Sequence, residues 1–92
     1  PAKTTELKSS SVKADSFKLS WKKVSGATYY QVAVYDKAKG GYVVYDTSET
    51  NSIVVGKRTS ATTYKVKVRA VREHEGKKYY GSYSSVLSVK TK

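Results

Sequence analysis

The chain has 92 residues with no cysteine and no methionine, and its 18 Lys and Arg against 7 Asp and Glu give a net charge of +11. This length fits one domain with a core too small for a deep substrate cavity, and without cysteine neither disulfides nor thiolate metal sites can form. No apolar run approaches the about 18 residues that a membrane span requires, so membrane insertion is not expected. Because the chain opens at Pro1, we interpret it as a piece of a longer protein.

The positive charge has two interpretations. It attracts anions at long range, such as nucleic acid, anionic lipid or an anionic cell-wall polymer. Alternatively, lysine-rich strand surfaces keep a sheet protein soluble and its edges unattractive to other strands. We favour the second interpretation, and we expect no specific nucleic-acid binding because no recognition motif is present.

Alternation of apolar and polar residues dominates the chain, and a period of two predicts strands with one buried face. A weak first strand contains Leu7 and Val12. Six clearer strands follow, at residues 17–21, 30–34, 42–46, 53–55, 64–70 and 87–89. Glycine-containing turn signals stand at 25–26, 39–41 and 75–76. The pattern predicts an all-β fold, a seven-stranded antiparallel sandwich of two sheets that forms a single domain over residues 1–92, with 1–5 and 91–92 as linker stubs.

Three motifs stand in a fixed order along these strands. They are Leu-Ser-Trp at 19–21, Gly-Ala-x-x-Tyr-x-Val at 26–32 and Thr-x-Tyr-x-Val-x-Val-x-Ala at 62–70, and a serine-rich closing strand follows at 82–91. In order and spacing they resemble a fibronectin type III domain, over nearly the whole chain. The antibody-type alternative fits less well, because it expects two bridging cysteines and a tryptophan on the third strand.

The resemblance implies an immunoglobulin-like sandwich with its two ends at opposite poles. Tyr64 stands where a tyrosine corner is expected, with its hydroxyl bonded to the backbone of the preceding loop. Arg58 stands where family members usually carry leucine, and we expect its stem to lie on the core edge with the guanidinium in water. The predicted core residues are Trp21, Tyr30, Val32, Tyr64, Val66 and Val68.

Lys-Val-Arg-Ala-Val-Arg at 67–72 and Gly-Lys-Lys-Tyr-Tyr-Gly-Ser-Tyr-Ser at 76–84 are similar to modules repeated in surface proteins and polysaccharide-degrading enzymes of Gram-positive bacteria. The resemblance implies an extracellular or cell-surface protein in which this domain is a monomeric, non-catalytic spacer between neighbouring domains of the same polypeptide. No catalytic residue, metal site or cofactor is expected. The one cluster with ligand character, Glu73, His74 and Glu75, has a single histidine on an exposed turn and alternates faces.

One face of the predicted sheet combines tyrosines with a basic stripe. Strand parity places Tyr29, Tyr35, Lys65, Lys67 and Arg69 outward, and these form a candidate ligand face for polysaccharide or an anionic cell-wall polymer. Further tyrosines stand close by: Tyr42 or Tyr45 on the next strand, and Tyr79, Tyr80 and Tyr83 near the last hairpin. The alternative is that the outward rings only cover neighbouring lysine stems and stabilise cross-strand pairs, which we favour.

Overall fold

Eight strands and no helix make up the computed structural model, which describes all 92 residues. In the absence of any helix, no helical segment is available to cross a membrane. The strands are β1 (Lys8–Ser10), β2 (Phe17–Ser20), β3 (Tyr29–Asp36), β4 (Gly41–Ser48), β5 (Ser52–Val55), β6 (Thr63–His74), β7 (Lys77–Tyr80) and β8 (Leu87–Lys90).

Two antiparallel sheets face each other across one core. The smaller has the order β1-β2-β5, and the larger has the order β4-β3-β6-β7 with β8 also paired to β6. The predicted all-β sandwich is therefore confirmed. Eight strands replace the expected seven because β7, which pairs with the end of β6 across the Glu75-Gly76 turn, was not among the predicted strands. Between β7 and β8 the Ser84 hydroxyl accepts the Val68 amide at 3.0 Å and takes the place of a ladder bond.

The inward positions of both sheets build the core, as their alternation dictates. Five of the six predicted core residues are buried. Tyr64 is partly buried, and its ring centroid lies 6.1 Å from that of Phe17. Its hydroxyl accepts the Thr59 amide at 2.8 Å, which is the tie expected of a tyrosine corner. Tyr30 acts similarly, because its buried hydroxyl accepts the Val24 amide at 2.8 Å.

The turn between β6 and β7 shows how sequence fixes local geometry. Glu75 has φ 50° and Gly76 has φ 77°, the two positive values of a two-residue type I′ hairpin, which the right-handed twist of the strands favours. Between β3 and β4 only Gly40 has positive φ, and Gly41 already begins the next strand.

Both ends pack on the sandwich, which differs from the expected linker stubs at Thr4 and Thr91. Each of these side chains is buried. The Thr91 hydroxyl donates to Thr59 O at 2.6 Å and accepts the Thr62 amide at 3.0 Å, so satisfied hydrogen bonds fix it in place. At the other end of the chain, a methyl group on Gly81 would lie 2.5 Å from the Ala2 carbonyl oxygen. The N-terminal segment thus lies directly on the backbone just after β7.

Candidate functional site

The outer face of the larger sheet carries the predicted ligand residues. Register on β3 and β6 places Gln31 opposite Arg69 and Ala33 opposite Lys67, so both cations project from the middle of this face. Ala33 shares the outward parity but is buried, because its small side chain lies between longer neighbours.

A row of alternating rings and cations crosses the face, in the order Tyr42, Lys67, Tyr83, Arg69, Tyr80. Lys67 Nζ lies 4.2 Å from the Tyr42 ring centroid and 4.3 Å from that of Tyr83. Arg69 Cζ lies 4.8 Å from the Tyr83 centroid and 4.2 Å from that of Tyr80. We call these five residues the cation–aromatic ladder. It links β4, β6 and the segment around β7 through side chains alone.

Within the ladder, both cations already have partners. Each lies between two rings, and Arg69 Nε also donates to Gln31 Oε1 at 2.8 Å. Lys67 and Arg69 are partly buried as a result. Contacts of this type contribute about 0.5–2 kcal/mol each. The ladder therefore stabilises the sheet; of its rings Tyr80 is exposed, whereas Tyr42 and Tyr83 are partly buried.

The five predicted ligand residues do not form one cluster. Lys67 and Arg69 lie in the ladder, and Tyr35 joins one end of it through an edge contact with Tyr42, with centroids 5.4 Å apart. Tyr29 is six residues from Tyr35 along β3, a separation of about 20 Å. Lys65 is exposed beyond the ladder.

Tyr29 stands beside Val71 on the outer face, away from the ladder. It stands in one register row with Val71, and Tyr80 stands on the far side of Val71 in the same row. Val71 projects outward yet is fully buried, so we assign the two rings to covering it. The participation of Tyr29 in ligand binding stays a prediction.

Comparison with known proteins gives the identity of the fold. The family model for the fibronectin type III domain matches residues 2–86. The chain belongs to this family. Among solved structures, it is similar to the fibronectin type III domain of human fibronectin type III domain containing protein 3, with TM-score 0.81, 22% identity, and coverage of 99% of this chain and 85% of that one.

Two further structures show the same fold. A myokine matches with TM-score 0.81 and 18% identity, covering 99% of this chain and 97% of that one. The FN5 domain of Drosophila Lar matches with TM-score 0.70 and 22% identity, covering 99% and 96%. No curated protein matches the chain. Fibronectin type III domains are generally structural or binding modules, typically non-catalytic, and they commonly occur in extracellular proteins.

The turn of this fibronectin type III domain that carries Glu73, His74 and Glu75 does not gather the three side chains. His74 Nε2 lies 3.8 Å from Glu75 Oε1, and both side chains are exposed. Glu73 follows the strand pairing, opposite Lys78. No group of three possible metal ligands occurs in the chain.

Arg58 differs from its expected position in water. Its guanidinium carbon lies 5.2 Å from the Tyr45 ring centroid and 5.5 Å from that of Tyr64, and the residue is partly buried. Nε donates to Gly56 O at 3.0 Å. The planar guanidinium is therefore held against two rings of the domain instead of extending beyond them.

Proposed function

We propose that this domain is a non-catalytic structural module that spaces and orients neighbouring domains of an exported bacterial multidomain protein. The observation that carries the proposal is the placement of its two ends. The Lys22 amide bonds Thr5 O at 3.0 Å at one end of the sandwich, whereas the Lys92 amide bonds Lys13 O at 3.2 Å at the other. A chain that enters at one pole and leaves at the other suits a linear string of domains.

The fixed ends support the same role. Because Thr4 and Thr91 are buried, the chain is held on the sandwich close to both poles. Flexible segments within a joint weaken the transmission of orientation, and the residues at these two positions add none. The long dimension of the domain, 43 Å, sets the upper limit of the spacing it provides.

The ladder supports a structural role for the basic face. Its rings and cations contact each other, so a sugar ring that stacked on Tyr42, Tyr80 or Tyr83 would have to compete with the cation that already contacts that ring. The extracellular location and the Gram-positive origin rest on the similarity of residues 67–84 to repeated surface-protein modules.

A distance measurement tests the spacer. Spin labels on cysteines replacing Ala2 and Lys92 would be measured by pulsed electron resonance. We expect one narrow distribution of label-to-label distances between about 23 Å and 43 Å. The lower limit is the length of residues 63–70 as a strand, and the upper limit is the long dimension of the domain. A broad distribution, or one centred below this window, would contradict a rigid spacer with ends at opposite poles. Labels at Lys8 and Ser20, which are register partners, provide a short-distance control.

A further inference from the structure

Arg58 is a partly buried cation that lies against two rings but has no carboxylate partner within the domain. No Lys or Arg lies within 4 Å of a carboxylate, since the one ion pair is His74 with Glu75. Nε of Arg58 bonds Gly56 O, whereas its two Nη groups bond no other protein group. A guanidinium donates through five N–H groups in a rigid fork that fits carboxylate or phosphate in a bidentate pair. Arg58 is thus an oriented oxyanion donor with its fork unused.

A cleft of about 570 Å³ opens beside this guanidinium. It lies between the β3–β4 hairpin and the loop from β5 to β6. Val34 and Val43 contribute aliphatic wall, and Tyr45 and Tyr64 contribute aromatic wall. The Tyr45 hydroxyl accepts the Gly56 amide at 3.2 Å and ties the two sides together. Clefts of about 300–1,000 Å³ with mostly apolar walls and a few polar groups are typical of small-ligand sites.

The charges around the cleft favour an anion. Lys37 and Lys65 line it together with Arg58, and Asp36 is its one carboxylate. The three cations and one anion give a local charge of +2. Asp36 Oδ1 already accepts the Ala38 amide at 2.9 Å, so this carboxylate has a structural role in the turn. A cleft lined mainly by one sign of charge raises the local concentration of the opposite ion.

We propose that this cleft binds a small ligand that carries one carboxylate or phosphate on a body with apolar faces, of the size of a sugar acid or a sugar phosphate. The Arg58 fork receives the oxyanion, the valine and tyrosine walls contact the body, and the two lysines attract the ligand from solution. None of the five ladder residues lines the cleft, which adjoins the ladder at Tyr35 and the C-terminal segment at Thr62. The site adds a binding activity to the spacer role and does not depend on it.

Nuclear magnetic resonance titration tests the proposal. The 15N-labelled domain would be titrated at about 0.15 M salt with sodium glucuronate, with glucose 1-phosphate and with glucose. We expect saturable shifts of the Arg58 Nε–H and of the Gly56 and Thr62 amides with one or both anions, and none with glucose. The tighter anion identifies the oxyanion source as carboxylate or phosphate.

Matched variants separate the fork from bulk charge. Arg58→Gln should weaken binding at least about tenfold, because a charge-assisted bidentate pair is lost. Arg72→Gln removes the same charge from an exposed site on β6 and should leave affinity within about twofold. Arg58→Lys keeps the charge without the fork and should bind more weakly than wild type. If thermal unfolding shows that Arg58→Gln is not folded, the affinity of Arg58→Lys decides whether the fork is required for binding.

Three results would overturn the proposal. The first is the absence of shifts with both anions. The second is shifts that fail to saturate or that spread over all lysine-rich strands. The third is equal affinity in Arg58→Gln and Arg72→Gln, which would show attraction by net charge alone.

Discussion

The hydroxyl of Tyr30 makes a hydrogen bond whose loss has a predictable cost. It accepts the Val24 amide at 2.8 Å, and the two residues are 3% and 7% exposed. Tyr30→Phe would leave that N–H buried without a partner, at a cost of about 1–3 kcal/mol. Unfolding entropy of about 2.1 cal/mol/K per residue gives about 190 cal/mol/K for 92 residues. We therefore expect Tm to fall by about 5–15 °C.

Urea unfolding, monitored by Trp21 fluorescence, gives the free energy directly, with an unchanged m-value expected. The control is Tyr29→Phe on the neighbouring residue, whose hydroxyl bonds no protein group; it should change stability by less than about 0.5 kcal/mol. Hydrogen exchange of the Val24 amide should accelerate in Tyr30→Phe alone. Equal stabilities of the two variants, or unchanged Val24 protection, would refute the assigned role of this bond.

Other expectations follow from the packing of the ends, the ladder and the charge. Gly81→Ala should release the N-terminal segment, because the added methyl group would meet the Ala2 carbonyl oxygen. Faster proteolysis of the first residues would confirm this release, and an unchanged rate of proteolysis would contradict it. Arg69→Ala should lower the free energy of unfolding by about 1–2 kcal/mol, whereas Arg72→Ala at an exposed position should lower it by less than about 0.5 kcal/mol. A double-mutant cycle of Arg69→Ala with Tyr80→Leu should give a coupling energy above about 0.5 kcal/mol, and a coupling energy near zero would contradict the energetic role of the ladder. Co-sedimentation with Gram-positive cell walls should occur at low salt and be lost near 1 M, since the face offers charge more than free stacking surface; retention at high salt would favour the polymer-binding alternative.

Local pattern was sufficient for much of the fold. Alternation located every strand except β7, and glycine located the Glu75-Gly76 turn, because side-chain direction and backbone φ depend mainly on neighbouring residues. The resemblance in motif spacing placed Trp21 in the core and Tyr64 at a corner that the Thr59 amide completes.

The same pattern was insufficient for the ladder. The sequence places Tyr42, Tyr80 and Tyr83 near the basic stripe, but it does not predict their stacking order. It depends on a register shift between β3 and β4 at Val32/Ala33 and on the break between β7 and β8. Such shifts set which residues stand opposite each other, and they leave no trace in a period-two pattern.

By itself, then, the sequence determined the all-β sandwich, its family and most of its core, because burial on a strand follows from alternation. The tertiary structure decided what each outward residue contacts. It placed Lys67 and Arg69 between rings, Tyr29 beside Val71, and Arg58 at the cleft. The physical reason is that outward side chains meet partners distant in sequence, and only the packed sheets bring those partners within contact distance.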